Sequence, residues 1–144
     1  MTPRLCIIDI NVLVAGLITL QPSSPTVQVL DAMLDGRLLY LLSPALLGEY
    51  RQVLLRPKLM RLHGLSEEES DRLLTEITAN ALWREPTQDE PESAPDPGDN
   101  HLWALLASAP DAILVTGDAL LLDNPRDGST VITASACAVL LGAK

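Results

Sequence analysis

The chain has 144 residues, 47% of them apolar, which allows a single domain spanning residues 1–144 with a core of ordinary size. With 19 acidic and 10 basic residues the formal net charge is −9, which excludes binding of nucleic acid through bulk positive charge. Phe is absent and aromatic residues are only 3%, so the core is expected to consist of aliphatic side chains, as in a parallel sheet buried on both faces.

Short apolar runs alternate with segments of helical spacing along the chain. The apolar runs predict strands at residues 5–8, 38–42, 81–83, 112–116 and 130–133. The helical spacing predicts helices at residues 11–17, 26–34, 44–56, 66–81, 99–109, 120–122 and 134–141. Ser66 with Glu69 forms a capping box at the start of one helix, and Pro57 is predicted to end the helix before it.

This alternation predicts an α/β fold, a three-layer α/β/α sandwich around a central, mainly parallel sheet. Between residues 85 and 98, four prolines and five acidic residues predict an irregular surface loop within the same domain. Folds of this class bind ligands beyond the carboxyl ends of their strands, so the residues at those positions are the candidates for function.

Two aspartates follow predicted strands. Asp9 comes directly after Ile8, and Asp118 follows Thr116 and Gly117. If the two strands are neighbours, the two carboxylates converge at one edge of the sheet. Each aspartate is also a good N-cap for the helix that follows it, and this alternative stays open.

Glu49 and Asp99 are two further acidic candidates. Glu49 lies at the flank of the apolar stripe of its helix, from which it can point along the sheet edge. Pairing with Arg51 or Arg56 is the alternative for Glu49. Asp99 opens a predicted helix, where an ordinary N-cap is the alternative.

Four sequence blocks resemble the acidic motifs of the PIN-domain family. The blocks are IIDINVLV at 7–14, LGEYRQVL at 47–54, DPGDN at 96–100 and LVTGD at 114–118. They stand in the family order over nearly the whole chain, and the strongest likeness is to the VapC-like branch, the toxin components of toxin–antitoxin systems. The sequence departs from that pattern at Ile10, where Thr is frequent, and at Gly98, where a further Asp is frequent.

The resemblance implies a Mg²⁺- or Mn²⁺-dependent endoribonuclease whose products carry a 5′-phosphate and a 3′-hydroxyl. Carried over by position, the catalytic and metal-binding acids are Asp9, Glu49, Asp99 and Asp118, with Asn11 and Thr116 in supporting positions. The family also implies a homodimer and an inhibitory protein antitoxin. The residue types agree with this chemistry, because hard cations take oxygen ligands and need neither His nor Cys.

Other functions also place acids at strand ends. A receiver-like metal-binding interaction module needs a Lys after a late strand, and no Lys lies between Lys58 and Lys144. A phosphohydrolase of the haloacid dehalogenase type needs a second acid two residues after Asp9, where this chain has Asn11. A catalytically silent PIN-like interaction module is a further alternative, although the four intact acids argue against it.

One stretch of bases without intervening acids begins shortly after Glu49. Its members are predicted to contact the RNA backbone: Arg51, Arg56, Lys58 and Arg61. A solvated helix face and an antitoxin-binding surface are the alternatives. His101 is interpreted as a polar-face histidine, with contact to an RNA phosphate or a metal-bound water as the alternative, and His63 is interpreted as structural or surface-exposed.

Cys6 and Cys137 are predicted to be buried free thiols in a reducing cytosol, because neither lies in a C-x-x-C pair or a metal-ligand spacing. The first residues show no charged-then-apolar targeting signal. No apolar run reaches the roughly 18 residues of a membrane helix. We therefore expect a cytoplasmic protein without membrane contact.

Overall fold

The computed structural model describes residues 4–86 and 93–142. Within these ranges the strands are β1 Leu5–Ile8, β2 Leu39–Leu42, β3 Leu82–Trp83, β4 Ile113–Val115 and β5 Thr130–Ile132. The helices are α1 Ile10–Ile18, α2 Pro25–Asp35, α3 Pro44–Leu54, α4 Pro57–His63, α5 Glu67–Ala79, α6 Asn100–Ser108, α7 Ala119–Asp123 and α8 Ala134–Gly142. No helix in the described ranges is both long and apolar enough to cross a membrane.

The strands form one sheet in the order β3-β2-β1-β4-β5, and every neighbouring pair is parallel. The predicted three-layer α/β/α sandwich is confirmed. From β1 the chain moves outward through β2 to β3, and then returns to the other side of β1 with β4. The carboxyl ends of β1 and β4 therefore meet where the strand order reverses, which is the usual ligand-binding position in such sheets.

The central strands are buried on both faces. Ile7 and Ile8 of β1 and Leu114 and Val115 of β4 are all 0% exposed, as the uninterrupted apolar runs indicate. Helix α2 packs against α1 and α8, while α3 packs against α5 and also contacts α1 and α6. The contact between α3 and α6 matters for function, because these helices carry residues from two of the four acidic blocks.

The two cysteines lie in this core. Cys6 on β1 and Cys137 on α8 are 2% and 1% exposed, and both are free thiols as predicted. The predicted capping box at α5 is also confirmed, since the Ser66 hydroxyl accepts from the Glu69 N–H and the Glu69 carboxylate accepts from the Ser66 N–H.

The prediction of one helix over residues 44–56 is wrong in its last part, and α4 is an additional helix. Helix α3 ends at Leu54, and α4 begins at Pro57. A proline cannot continue a helix, but at the first helical position its missing N–H costs nothing. His63 ends α4, with Nε2 2.9 Å from the carbonyl oxygen of Leu54 and Nδ1 accepting from the Leu65 N–H at 3.0 Å. The structural interpretation of His63 is therefore confirmed.

The predicted irregular loop at 85–98 is only partly correct. Residues 87–92 lie outside the described residues. Residues Pro97–Asp99 form a 3₁₀ turn, with the Asp96 side chain accepting from the Gly98 N–H at 2.9 Å. This turn leads directly into α6 and so places Asp99 at the start of that helix.

Candidate active site

The carboxyl ends of β1 and β4 bring the first and last of the candidate acids together. The two strands pair in register, with Ile8 opposite Val115, and the Asp9 N–H donates to the Val115 carbonyl oxygen at 2.9 Å. Asp118 follows β4 after a two-residue turn. The sequence-based condition for convergence, that the two strands are neighbours, is met.

The carboxylate of Asp9 is buried and held by hydrogen bonds from both strand ends. Asp9 is 3% exposed; its Oδ1 accepts from the Ile10 N–H at 2.8 Å, and its Oδ2 accepts from the Thr116 hydroxyl at 2.8 Å. The Asn11 amide also donates to Oδ2 at 3.2 Å. Burial raises the pKa of Asp9, while the hydrogen bonds from Thr116 and Ile10 act to lower it. Asp9 is thus an oriented carboxylate as well as the N-cap of α1.

Asn11 and Thr116 connect the turn after β4 to the end of β1. The Asn11 Oδ1 accepts from the Gly117 N–H at 2.8 Å, and the Thr116 hydroxyl oxygen accepts from the Asp118 N–H at 3.0 Å. The Asn11 amide nitrogen also lies 3.2 Å from the Thr116 hydroxyl oxygen. These two residues therefore set the backbone position of Asp118 relative to Asp9. Asp118 caps α7 through Oδ1, which accepts from the Leu120 N–H at 2.9 Å.

Helix α3 brings Glu49 to the same edge of the sheet. The fully buried Tyr50 donates its hydroxyl hydrogen to the carbonyl oxygen of Ile8, the residue before Asp9. A buried tyrosine needs a partner for its hydroxyl, and this one fastens α3 to the end of β1. Tyr50 is thus a positioning residue for Glu49. From the sequence, Tyr50 is recognised only as part of the apolar stripe of its helix. Its hydroxyl group, which needs a partner when buried, is the one feature that could have indicated this role.

Glu49 contacts a histidine and not a base of its own helix. The Nε2 atom of His101 lies 3.4 Å from Glu49 Oε1, and the two side chains are only 18% and 25% exposed. Arg51, one alternative partner, pairs instead with Asp71 of α5. Helix α6 thus places His101 against α3, a contact that the interpretation of His101 as a polar-face histidine did not include.

The charges of the other acids contribute to a raised pKa of Asp99. It is the N-cap residue of α6, but its side chain makes no capping hydrogen bond, unlike those of Asp9 and Asp118. Burial, followed by the charges of Asp9, Asp96, Glu49 and Asp118, raises the pKa of Asp99 from 3.8 to about 6. Charges act in this way only over short distances, so the four candidate acids share one electrostatic environment.

The donors at this edge suit a hard divalent cation, although they do not form a finished binding site. Carboxylate oxygens are the ligands that Mg²⁺ and Mn²⁺ prefer. Glu49 Oε1 is buried and has no hydrogen-bond partner among the described residues, which makes it available to a cation. Among residues 4–86 and 93–142, no three His, Cys, Asp or Glu side chains are close enough to hold a metal ion as they stand. Side-chain movement is therefore needed, and mutual repulsion of the acids opposes it in the absence of a cation.

The predicted basic strip loses one member to an acidic partner. Arg51 donates to both carboxylate oxygens of Asp71, at 2.9 and 3.2 Å, and lies 3.9 Å from Glu67. The strip is free of acids along the sequence but not in space, because α5 packs beside α3. The other three bases are exposed, with no acidic group within 4 Å in the described part of the chain: Arg56, Lys58 and Arg61.

Comparison with known proteins identifies the family of the chain. The family model described as PIN domain matches residues 6–120, a segment that contains all four candidate acids. No curated protein and no solved structure matches the chain. PIN domains are typically metal-dependent nucleases, and the match does not assign a branch within the family.

Replacing Tyr50 with Phe should lower the free energy of unfolding by about 1–3 kcal/mol, because the Ile8 carbonyl loses a buried hydrogen bond. Tyr40→Phe is the matched control, since its hydroxyl donates to the carbonyl oxygen of Ile77 on α5 at 2.5 Å. Urea unfolding followed by circular dichroism measures both losses. Mn²⁺ affinity should fall only in Tyr50→Phe, since Tyr40 does not fasten α3. Unchanged Mn²⁺ affinity in that variant would contradict the anchoring role.

Asp99→Asn should stabilise the metal-free protein at pH 7 but not at pH 4. The folded-state pKa of Asp99 lies above its ordinary value of 3.8, at about 6, so the folded state favours the protonated form. The stability from this group is present below the ordinary pKa and is lost as the pH rises through the folded-state value. Urea unfolding in EDTA at pH 4 and at pH 7 gives the difference in unfolding free energy between Asp99→Asn and wild type. Asp111→Asn, at the opposite end of β4, is the control. The same pH profile for both variants would refute it.

Proposed function

Because the chain belongs to the PIN-domain family, we propose that it is a Mg²⁺- or Mn²⁺-dependent endoribonuclease that hydrolyses RNA phosphodiester bonds. The observation that carries the proposal is the concentration of acids where the strand order reverses. Burial, together with the charges of the neighbouring acids, raises the pKa of Asp99 to about 6. Groups with such perturbed pKa values cluster at functional sites, and a divalent cation relieves the repulsion between them.

The four acids differ in how firmly their carboxylates are held, and therefore in how far each can move to bind a cation. A bound Mg²⁺ or Mn²⁺ would make a coordinated water easier to deprotonate and would stabilise the attacking and leaving oxygens of the phosphodiester. Asp9, Glu49, Asp99 and Asp118 are the residues that would hold it. Asp9 is the most firmly held, because donors from three residues contact it. Asp99 makes no capping hydrogen bond and can adjust to the ion.

The same proposal includes the reaction products and the biological setting. Attack of water on phosphorus would leave a 5′-phosphate and a 3′-hydroxyl, as the motifs of this family imply. On the likeness of residues 7–14 and 114–118 to the toxin branch, we propose a cytoplasmic toxin component that forms homodimers and is inhibited by a protein antitoxin. An adjacent gene for a small DNA-binding protein would support this setting, and growth of cells unaffected by expression of the active protein would argue against it.

Neutral replacements of the acids should remove ribonuclease activity. Asp9→Asn, Glu49→Gln, Asp99→Asn and Asp118→Asn should each lower the rate at saturating Mn²⁺ by about 100-fold or more, since several kcal/mol of charge stabilisation is lost. The assay is cleavage of a labelled single-stranded RNA, with circular dichroism to verify the fold.

Asp111→Asn is the matched control, because this exposed acid precedes β4 and so lies at the other end of the sheet. It should cleave at the wild-type rate. Wild-type cleavage by all four site variants would overturn the nuclease proposal. A wild-type protein that binds Mn²⁺ but cleaves no RNA would favour the silent interaction module.

The bases at the start of helix α4, Arg56 at its N-cap and Lys58 in its first turn, should contribute to RNA affinity through the phosphate backbone. Each phosphate contact with a single strand adds roughly 0.7 to the salt slope, so Arg56→Ala with Lys58→Ala should flatten the slope by about 1.4. RNA binding by a catalytically inactive Asp118→Asn background, measured at several salt concentrations, tests this. Mn²⁺ affinity should stay unchanged because neither base is a candidate ligand.

The control for this experiment is Arg37→Ala with Arg72→Ala, which makes the same change in net charge on α5 and just after α2. An equal loss of RNA affinity in both pairs would mean that only overall charge matters. Unchanged affinity and slope after loss of Arg56 and Lys58 would mean that these two bases do not hold RNA.

A further inference from the structure

In the described part of the chain, one contact between α3 and α6 involves two side chains that carry three buried polar atoms without hydrogen-bond partners. They are Oε1 of Glu49 and both ring nitrogens of His101. The Nε2 and Oε1 atoms lie 3.4 Å apart, longer than a good hydrogen bond, and neither side chain is more than 25% exposed. Buried polar atoms in folded proteins are nearly always hydrogen-bonded, so a cluster of three without partners indicates that something else completes it.

The other histidine of the chain shows what a structural histidine looks like in this protein. Both ring nitrogens of His63 are partnered, Nε2 with the Leu54 carbonyl oxygen at 2.9 Å and Nδ1 with the Leu65 N–H at 3.0 Å. His63 therefore holds one tautomer through backbone groups alone. His101 has no such backbone partners within residues 4–86 and 93–142, and the polar atom facing its Nε2 is a carboxylate oxygen at the candidate active site. The contact of His101 with Glu49 therefore indicates a role in orienting that carboxylate.

Helix α6 gives His101 a defined place relative to two of the acids. Asp99 is the N-cap of α6, and His101 lies in the first turn of the same helix. The start of the helix is held by Asn100, whose Oδ1 accepts from the Ala94 N–H at 2.8 Å. A shift of α6 would therefore move Asp99 and His101 together against Glu49 on α3. Helix α6 contacts the Glu49 carboxylate through His101.

We propose that His101 is a positioning residue for Glu49, an inference that rests on the proposed metal-dependent function. In the neutral tautomer with hydrogen on Nε2, the ring donates to Oε1 after a small rotation and orients the Glu49 carboxylate towards the cation. An imidazole that hydrogen-bonds a carboxylate ligand acts as an outer partner, and such partners tune metal affinity strongly. His101 itself needs no contact with the metal or with RNA.

Binding of Mn²⁺ in the absence of RNA tests this proposal, measured by the electron paramagnetic resonance signal of free Mn²⁺. His101→Leu keeps similar volume but removes the donor, and should weaken Mn²⁺ affinity by about 10-fold or more. His101→Gln places an amide N–H near the position of Nε2 and should remain within about 3-fold of wild type. His101→Asn carries its donor closer to the backbone and should behave like Leu. His63→Gln is the control for loss of a histidine elsewhere and should bind Mn²⁺ as wild type does.

A double-mutant cycle shows whether His101 acts through Glu49. In the Glu49→Gln background, the further change His101→Leu should weaken Mn²⁺ binding little, because the carboxylate it orients is already gone. Equal weakening in both backgrounds would overturn the proposal, and so would wild-type affinity in His101→Leu. If His101→Leu fails to fold, the Gln and Asn variants decide, and equal affinities for those two would also overturn it.

The outcome separates this proposal from the function on which it rests. Wild-type protein that binds no Mn²⁺ would overturn both. Wild-type protein whose Mn²⁺ affinity depends on Asp9 and Glu49 but not on His101 would leave the metal-dependent function standing and would remove the positioning role alone.

Discussion

The parallel pairing of β1 with β4 is the constraint on which the candidate site depends. The Asp9 N–H donates to the Val115 carbonyl oxygen, and the same pairing brings the Thr116 hydroxyl to 2.8 Å from the Asp9 carboxylate. The strand order reverses between these two strands, so no helical crossover covers the gap between their ends. Helices α1 and α7 both start at these ends and take a carboxylate as N-cap. The sheet and the site therefore share one hydrogen-bond network.

Hydrogen-bond donors, rather than Arg partners, hold the Asp9 carboxylate in that network. Arg37 pairs with Asp35, and Arg51 pairs with Asp71 and Glu67 of α5, none of which is a candidate site acid. A Lys or Arg among the site acids would lower their pKa values and would also compete with a divalent cation for the same oxygens. Hydrogen-bond donors take that role for Asp9, whereas Asp99 keeps a raised pKa of about 6. A raised carboxylate pKa lowers the free energy of unfolding at neutral pH, and groups with such perturbed pKa values are typical of functional sites.

Two polar side chains behind the acids connect the helical layers to the sheet edge. Tyr50 joins α3 to the end of β1 through the Ile8 carbonyl, and His101 joins α6 to Glu49. Tyr50 is fully buried and its hydroxyl donates to a backbone carbonyl, so it fixes the distance between α3 and the end of β1. Within the described residues, neither ring nitrogen of His101 has a hydrogen-bond partner, so its contact with Glu49 is less fixed than that of Tyr50. Both contacts thus act on the same helix, α3, one through Tyr50 and one through Glu49.

The residue pattern was sufficient for the fold class, for most elements and for the four acids as candidates. Short aliphatic runs of four or five residues that alternate with helical segments indicate buried parallel strands, and acids that follow such strands lie at the carboxyl edge of the sheet. The pattern could not show that Pro57 begins a helix, because a proline that ends one helix is equally suited to start the next. Nor could it show that Arg51 faces Asp71, that Tyr50 reaches Ile8, or that His101 meets Glu49. Helical spacing gives the face on which a side chain lies, whereas its partner depends on which element packs there. Contacts such as those between Tyr50 and Ile8, 42 residues apart, and between Thr116 and Asp9, 107 residues apart, exist only once the sheet order and helix packing are set.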